Sequence, residues 1–149
     1  MPRYLLVFIY LFLMTNTILS QEFIQVAGTE FRLKGKPYYF LGTNFWYGMN
    51  LGVEGEKGDR ERLLKELDQL QSLGINNLRI MAGSEGPNSE PWRMTPVLMK
   101  SPGVYDEALF DGLDFLLSEM AKRDMYAVLC LNNFWPWSGG MAQYRTEPH

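Results

Sequence analysis

The feature that most constrains this chain is a repeated switch of hydrophobic period. Leu63, Leu67, Leu70 and Leu73 recur at helical spacing, Asp59 stands where an N-cap belongs, and Gly74 stands where such a helix would stop. Leu78, Ile80 and Met81 follow at once as an apolar run of buried-strand length, ended by Gly83, Ser84 and Gly86. The same succession then repeats. Asp106 is positioned to cap a second helix that buries Phe110, Leu113, Leu117 and Met120, weakened slightly by Gly112, and residues 126–131 read as another strand. Residues 38–41 supply a strand ahead of both. Residues 23–26 and 31–33, around Ala27-Gly28-Thr29, predict a small leading hairpin. Strand, helix, strand, helix, strand means an α/β fold with a parallel sheet, because each helical crossover returns the chain in the same direction.

Polar and aromatic residues gather where these strands end. The loops deliver Asn44 with Trp46, Arg79 with Glu85, and Asn132 and Asn133 with Trp135. Arg79 interrupts an otherwise apolar strand, and a buried guanidinium is costly unless paired, so an anion is expected to meet it. Aromatic faces beside side-chain amides suit a sugar, whose ring has apolar C–H faces and a hydroxyl rim. Trp137 belongs to the same aromatic group. Residues 83–105 form a long connection carrying Pro87, Pro91, Pro96 and Pro102, a length that points to function.

Several chemistries are excluded or disfavoured. His149 is the only histidine and the last residue, which removes a Ser-His-Asp triad. No His or Cys cluster has metal-ligand spacing, and Gly48, Gly52, Gly55 and Gly58 do not make a nucleotide-binding pattern, so neither metal nor cofactor is expected. The net charge of −3, without a basic cluster, argues against nucleic acid or an anionic membrane as partner. Cys130, the single cysteine, allows no intrachain disulfide and reads as a small core residue.

At the start, Arg3 precedes an apolar block over residues 4–14, too short to cross a bilayer comfortably and of the length of a signal-peptide core. Ser20 offers a small residue before Gln21. Residues 1–20 are therefore expected to be a signal peptide, and the mature chain secreted.

Three segments carry a more specific resemblance: Gly-Lys-Pro-Tyr-Tyr-Phe-Leu-Gly-Thr-Asn-Phe-Trp-Tyr-Gly from residue 35, Asn-Leu-Arg-Ile-Met-Ala-Gly-Ser-Glu-Gly from 77, and Leu-Asn-Asn-Phe-Trp-Pro-Trp-Ser-Gly-Gly-Met-Ala-Gln-Tyr from 131. Together with Pro91-Trp92-Arg93 and Gly103-Val104-Tyr105 they resemble glycoside hydrolase family 5, in particular its endo-β-1,4-mannanases. The resemblance implies a (β/α)8 barrel, of which residues 21–149 would be the beginning, with the hairpin and three βα units. It implies a retaining hydrolysis of internal β-1,4-mannosidic bonds in a mannan or related polysaccharide by an enzyme that, once complete, is a monomer. Arg79 would then hold the nucleophilic carboxylate, and Trp46, Asn132, Asn133 and Trp135 would line the mannan cleft. The family's two catalytic glutamates stand at the ends of strands four and seven, positions these residues do not reach, and retention needs both about 5–5.5 Å apart. Glu85 does not replace them by position. The 149 residues alone are thus expected to be inactive, and the alternative is a secreted, non-catalytic mannan-binding or interaction product. Two departures stand out: many members carry a histidine where this chain has Asn132 and Asn133, and Arg-Thr-Glu-Pro-His after Tyr144 leaves the family pattern, as in a partial product.

Overall fold

The computed structural model describes residues 23–87, 89 and 91–144, apart from the Ala142 side chain; the expected signal peptide lies outside the described residues. The chain divides into two compact units, Met1–Tyr39 and Phe40–His149. Within the first, β1 (Gln25–Ala27), β2 (Glu30–Leu33) and β3 (Lys36–Pro37) form an antiparallel sheet. The hairpin is tighter than expected. Gly28 and Thr29 alone make the turn, so Ala27 pairs with Glu30 and the strands extend inward by one residue on each side.

The second unit carries the parallel sheet, in the order β4 (Gly42–Asn44), β5 (Asn77–Met81), β8 (Tyr126–Cys130). A four-residue helix, α1 (Gly48–Leu51), follows β4, and α2 (Arg60–Ser72) crosses over to β5. The Asp59 carboxylate accepts from the Arg62 amide at 2.9 Å, and Gly74 (φ +78°) ends the crossover, as the sequence predicts. Leu63 and Leu67 are fully buried, whereas Leu73, expected on the same face, is 65 % exposed because it already lies in the unwinding turn.

The first parallel strand sits further along than residues 38–41. Its partner β5 begins at Asn77, so the ladder opens opposite at Gly42. Leu41 instead spends its amide on the Asn76 side-chain oxygen at 2.9 Å, and its own side chain stays exposed. A register set by the partner strand overrides the apolar run.

The long connection after β5 is not a plain loop. Its latter part folds into an antiparallel hairpin, β6 (Met99–Ser101) and β7 (Val104–Tyr105), and Met94, Val97 and Leu98 are buried. Helix α3 (Glu107–Ala121) follows, with the Asp106 carboxylate accepting from the Ala108 amide at 3.3 Å. Its buried stripe is Leu109, Gly112, Leu116, Glu119 and Met120, one residue round from the expected face. Phe110 lies at the edge against Tyr105, ring centres 5.8 Å apart, and Leu113 and Leu117 are only partly buried. Gly112 decides this rotation. A Cβ on Gly52 would come within 2.1 Å of the Gly112 carbonyl oxygen, so the residues after α1 meet α3 backbone to backbone. Gly112 thus places the helix, and its cost in helix propensity is secondary.

Two apolar clusters result. Phe45, Leu63, Leu67, Leu78, Ile80, Leu116, Met120 and Met125 fill the space between sheet and helices. Met49, Val53, Met81, Met94, Leu98 and Leu109 form a second, with Leu113, Cys130 and Trp137 packed against it; it carries the loops at the strand ends. Cys130 is therefore partly buried, as expected of a core residue.

The cap of α3 yields a pH-dependent prediction. Lys100, 2.9 Å from Asp106, together with the Ala108 amide, holds the Asp106 carboxyl below its ordinary pKa. A lowered folded-state pKa stabilises the protein above the ordinary aspartate range, and that stabilisation is lost as pH falls through the lowered value. Asp106→Ala in a folded protein carrying this chain should cost about 1 kcal/mol at neutral pH. Denaturation midpoints should show the difference between variant and parent shrinking as the pH drops below about 3.9.

Candidate functional site

The three parallel strands run in register, so Asn44, Arg79 and Val128 form one row across the sheet. Leu78 and Ile80 on either side of Arg79 point into the helix-covered core, and alternation turns Arg79 to the opposite face. That face is open at this row: Arg79 is exposed and Val128 is 49 % exposed. The expected buried ion pair is therefore corrected. Among the described residues no carboxylate lies within ion-pair distance of Arg79; its Nη1 donates to the Asn44 side-chain oxygen at 3.4 Å. The sheet face is open around Arg79 itself, so the guanidinium keeps its water and pays no desolvation penalty.

At the C-terminal end of β4 the chain passes from buried Phe45 to half-exposed Trp46. The Trp46 ring meets Trp137 edge-on, centres 5.2 Å apart, which joins the loops after the first and third parallel strands. Tyr47 anchors this loop by donating to Glu66 at 2.6 Å.

The other loops are tied through Glu85. This side chain is 3 % exposed; its carboxylate accepts from the Gly140 amide at 3.0 Å and from the Tyr144 hydroxyl at 3.1 Å. Its backbone amide donates to the Ser138 carbonyl, and its carbonyl accepts from Arg93. Ser84, buried beside it, accepts from the Leu98 amide at 2.9 Å. Gly139 has φ +105°, and a Cβ there would fall 2.5 Å from the Glu85 carboxylate, so no other residue fits between the two loops. Loss of solvent around the hydroxyl, with the Glu85 charge beside it, holds the Tyr144 pKa above the ordinary tyrosine value, so the phenol stays a proton donor.

The residues singled out from sequence separate into two groups. Trp46, Asn132 and Trp135 stand exposed at strand ends, Trp135 at 60 % with its edge against Phe134, and Arg79 lies on the open face. Asn133 is half-buried and satisfied internally: its nitrogen donates to Ser138 Oγ at 3.0 Å and its oxygen accepts from the Phe134 amide at 2.9 Å. Its amide shapes the loop. Sequence reasoning missed the structural weight of Glu85 and Tyr144, which contact each other across 59 positions. Consecutive glycines at 139 and 140, both with positive φ, were the one local signal of a tightly constrained crossing. Among the described residues no group of three or more His, Cys, Asp or Glu is placed to hold a metal.

The family model described as GH family 5 beta-mannosidase-like matches residues 21–147. A putative mannan endo-1,4-beta-mannosidase 9 from Oryza sativa subsp. japonica is 37 % identical over 127 residues, which cover 85 % of this chain and 29 % of the rice protein. A mutant of a glycoside hydrolase family 5 mannosidase from Rhizomucor miehei, solved in complex with mannosyl-fructose, superposes with a TM-score of 0.78 at 49 % identity, covering 82 % of this chain and 30 % of that one. An endo-1,4-beta-mannanase of the same fungus superposes at 0.64 with 25 % identity, covering 82 % and 33 %. The chain thus spans about a third or less of the relatives it matches. These neighbours are family 5 (β/α)8 barrels, and the described residues form the corresponding open part, three parallel strands without barrel closure.

Proposed function

This chain belongs to glycoside hydrolase family 5, in its β-mannosidase-like group, and on that premise we propose that it supplies the first three strands of a secreted enzyme hydrolysing β-1,4-mannosidic bonds. The observation that carries this reading is Arg79, exposed beside Asn44 on the open sheet face while its strand neighbours are buried. In a closed barrel that face turns inward, and groups near the C-terminal strand ends face the substrate. A guanidinium there, unpaired among the described residues, is available to a carboxylate from a later strand, which it would keep ionised and oriented. Trp46, Trp135 and Asn132 would meet the sugar by stacking and by hydrogen bonds. Residues 1–20 would direct export.

One observation favours a second reading of where the enzyme cuts. Identity is 49 % to the fungal mannosidase but 25 % to the endo-mannanase of the same organism, so attack on terminal mannosides competes with cleavage of internal bonds. The test is product analysis with a complete enzyme carrying this chain. Internal cleavage should release mannooligosaccharides from β-mannan from the first minutes, with viscosity falling early. Mannose as sole early product would establish terminal attack, and a folded enzyme inactive on all β-mannosides would refute the proposal.

A further inference from the structure

We propose that Tyr47 and Trp137 are positioning residues for sugar recognition: they hold the Trp46 indole at a fixed tilt, so that a stacking platform stands ready before substrate arrives. The inference deepens the β-mannoside reading and rests on it. The neighbouring strand already fixes the backbone here. The Phe45 amide donates to the Arg79 carbonyl at 2.8 Å, and the Met81 amide donates to the Trp46 carbonyl at 3.3 Å. What remains to be placed is the Trp46 side chain, 42 % exposed. Tyr47 meets its ring at 80° and Trp137 meets it at 71°, each with ring centres 5.2 Å apart. One such contact leaves an indole free to swing about it. Two, from separate parts of the chain, set its plane.

Both neighbours are themselves held. The Tyr47 hydroxyl donates to the Glu66 carboxylate on α2 at 2.6 Å. Arg62, paired to the same carboxylate at 2.6 Å, has its guanidinium carbon 5.4 Å from the tyrosine ring centre. Buried Phe45 packs against that ring, centres 4.8 Å apart. Trp137 is half-buried against the second apolar cluster, and its carbonyl accepts from the Met94 amide at 2.7 Å. Contacts therefore run from α2 through Tyr47 to Trp46 and on to the loop after β8. A loose surface indole would lose its rotamer freedom on meeting a sugar; here folding has already removed that freedom, so binding costs less.

In a complete enzyme carrying this chain, Tyr47→Phe and Trp137→Leu should each raise KM for mannooligosaccharides roughly two- to tenfold, with kcat nearly unchanged. Tyr47→Phe removes only a hydroxyl and guards against misfolding of the leucine variant. Glu66→Ala should match Tyr47→Phe, and Glu66→Gln, which keeps an acceptor for the hydroxyl, should recover most of the loss. Added to Trp46→Ala, none of these changes should raise KM further, because all act through one ring. Effects that add fully to Trp46→Ala, or a lowered Tm with unchanged KM per folded molecule, would overturn the proposal and leave Tyr47 and Trp137 as loop packing. If the folded parent enzyme hydrolyses no β-mannoside, the functional reading falls first and this inference with it.

Discussion

Arg79→Lys in a complete enzyme is expected to lower turnover on β-mannosides by roughly ten- to a hundredfold while leaving Tm nearly unchanged. Arg79 sits exposed between buried Leu78 and Ile80, with the Asn44 side chain as its near neighbour at 3.4 Å. Lysine keeps the charge but loses the planar fork that grips both oxygens of a carboxylate. Loss of one charge-assisted hydrogen bond costs on the order of 1.5–3 kcal/mol, which sets that range of rates. The stability effect should be small because no ion pair is broken among the described residues. Arg79→Gln separates the roles further. Without the cation, the nucleophile's carboxyl pKa rises, so the acidic limb of the pH–rate profile moves to higher pH. Turnover per folded molecule, measured against pH, decides the matter; an unchanged rate and acidic limb in both variants would remove Arg79 from the reaction.

Expressed by themselves, residues 23–149 are expected to self-associate, to melt without a sharp cooperative transition and to release no sugar from mannan. Parallel sheets are stable when both faces and both edges are covered. Here β4 and β8 are the outer strands of the parallel sheet, and Val128, Leu129 and Leu131 are 49 %, 40 % and 73 % exposed. Phe40 and Leu41 add further apolar surface at 49 % and 57 %. Such a surface exceeds what single scattered apolar residues need for explanation and invites edge-to-edge pairing. Light scattering and calorimetry test this directly. A soluble monomer with one cooperative transition would show that the three units fold independently.

The parts of this fold that were legible in the sequence are those fixed by local chemistry. Asp59 and Asp106 cap their helices, Gly74 ends the first crossover, and the apolar stretch at 78–81 is a strand, because each signal acts within a few residues. What escaped depends on distant partners. The start of β4 is set by Asn77 on the neighbouring strand, and the rotation of α3 by the approach of Gly112 to Gly52. The candidate site divides the same way. Trp46, Asn132 and Trp135 were visible as aromatic and amide residues following strands. Glu85 gave no sign of burial, since Gly140 and Tyr144, which make burial affordable, lie 55 and 59 positions away. Arg79 was visible as an anomaly and misread in its surroundings, because strand alternation alone does not say which face of a sheet stays open.

Residues 23–144, transplanted in place of the matching segment of the solved fungal mannosidase, give the most direct test of the central claim. If this chain supplies three working strands of a β-mannoside hydrolase, the hybrid should fold as a soluble barrel. It should then hydrolyse mannooligosaccharides within about tenfold of its parent, a loss of no more than ~1.4 kcal/mol in transition-state binding. A hybrid that folds with the parent's circular dichroism and melting transition yet shows no hydrolysis would contradict the account.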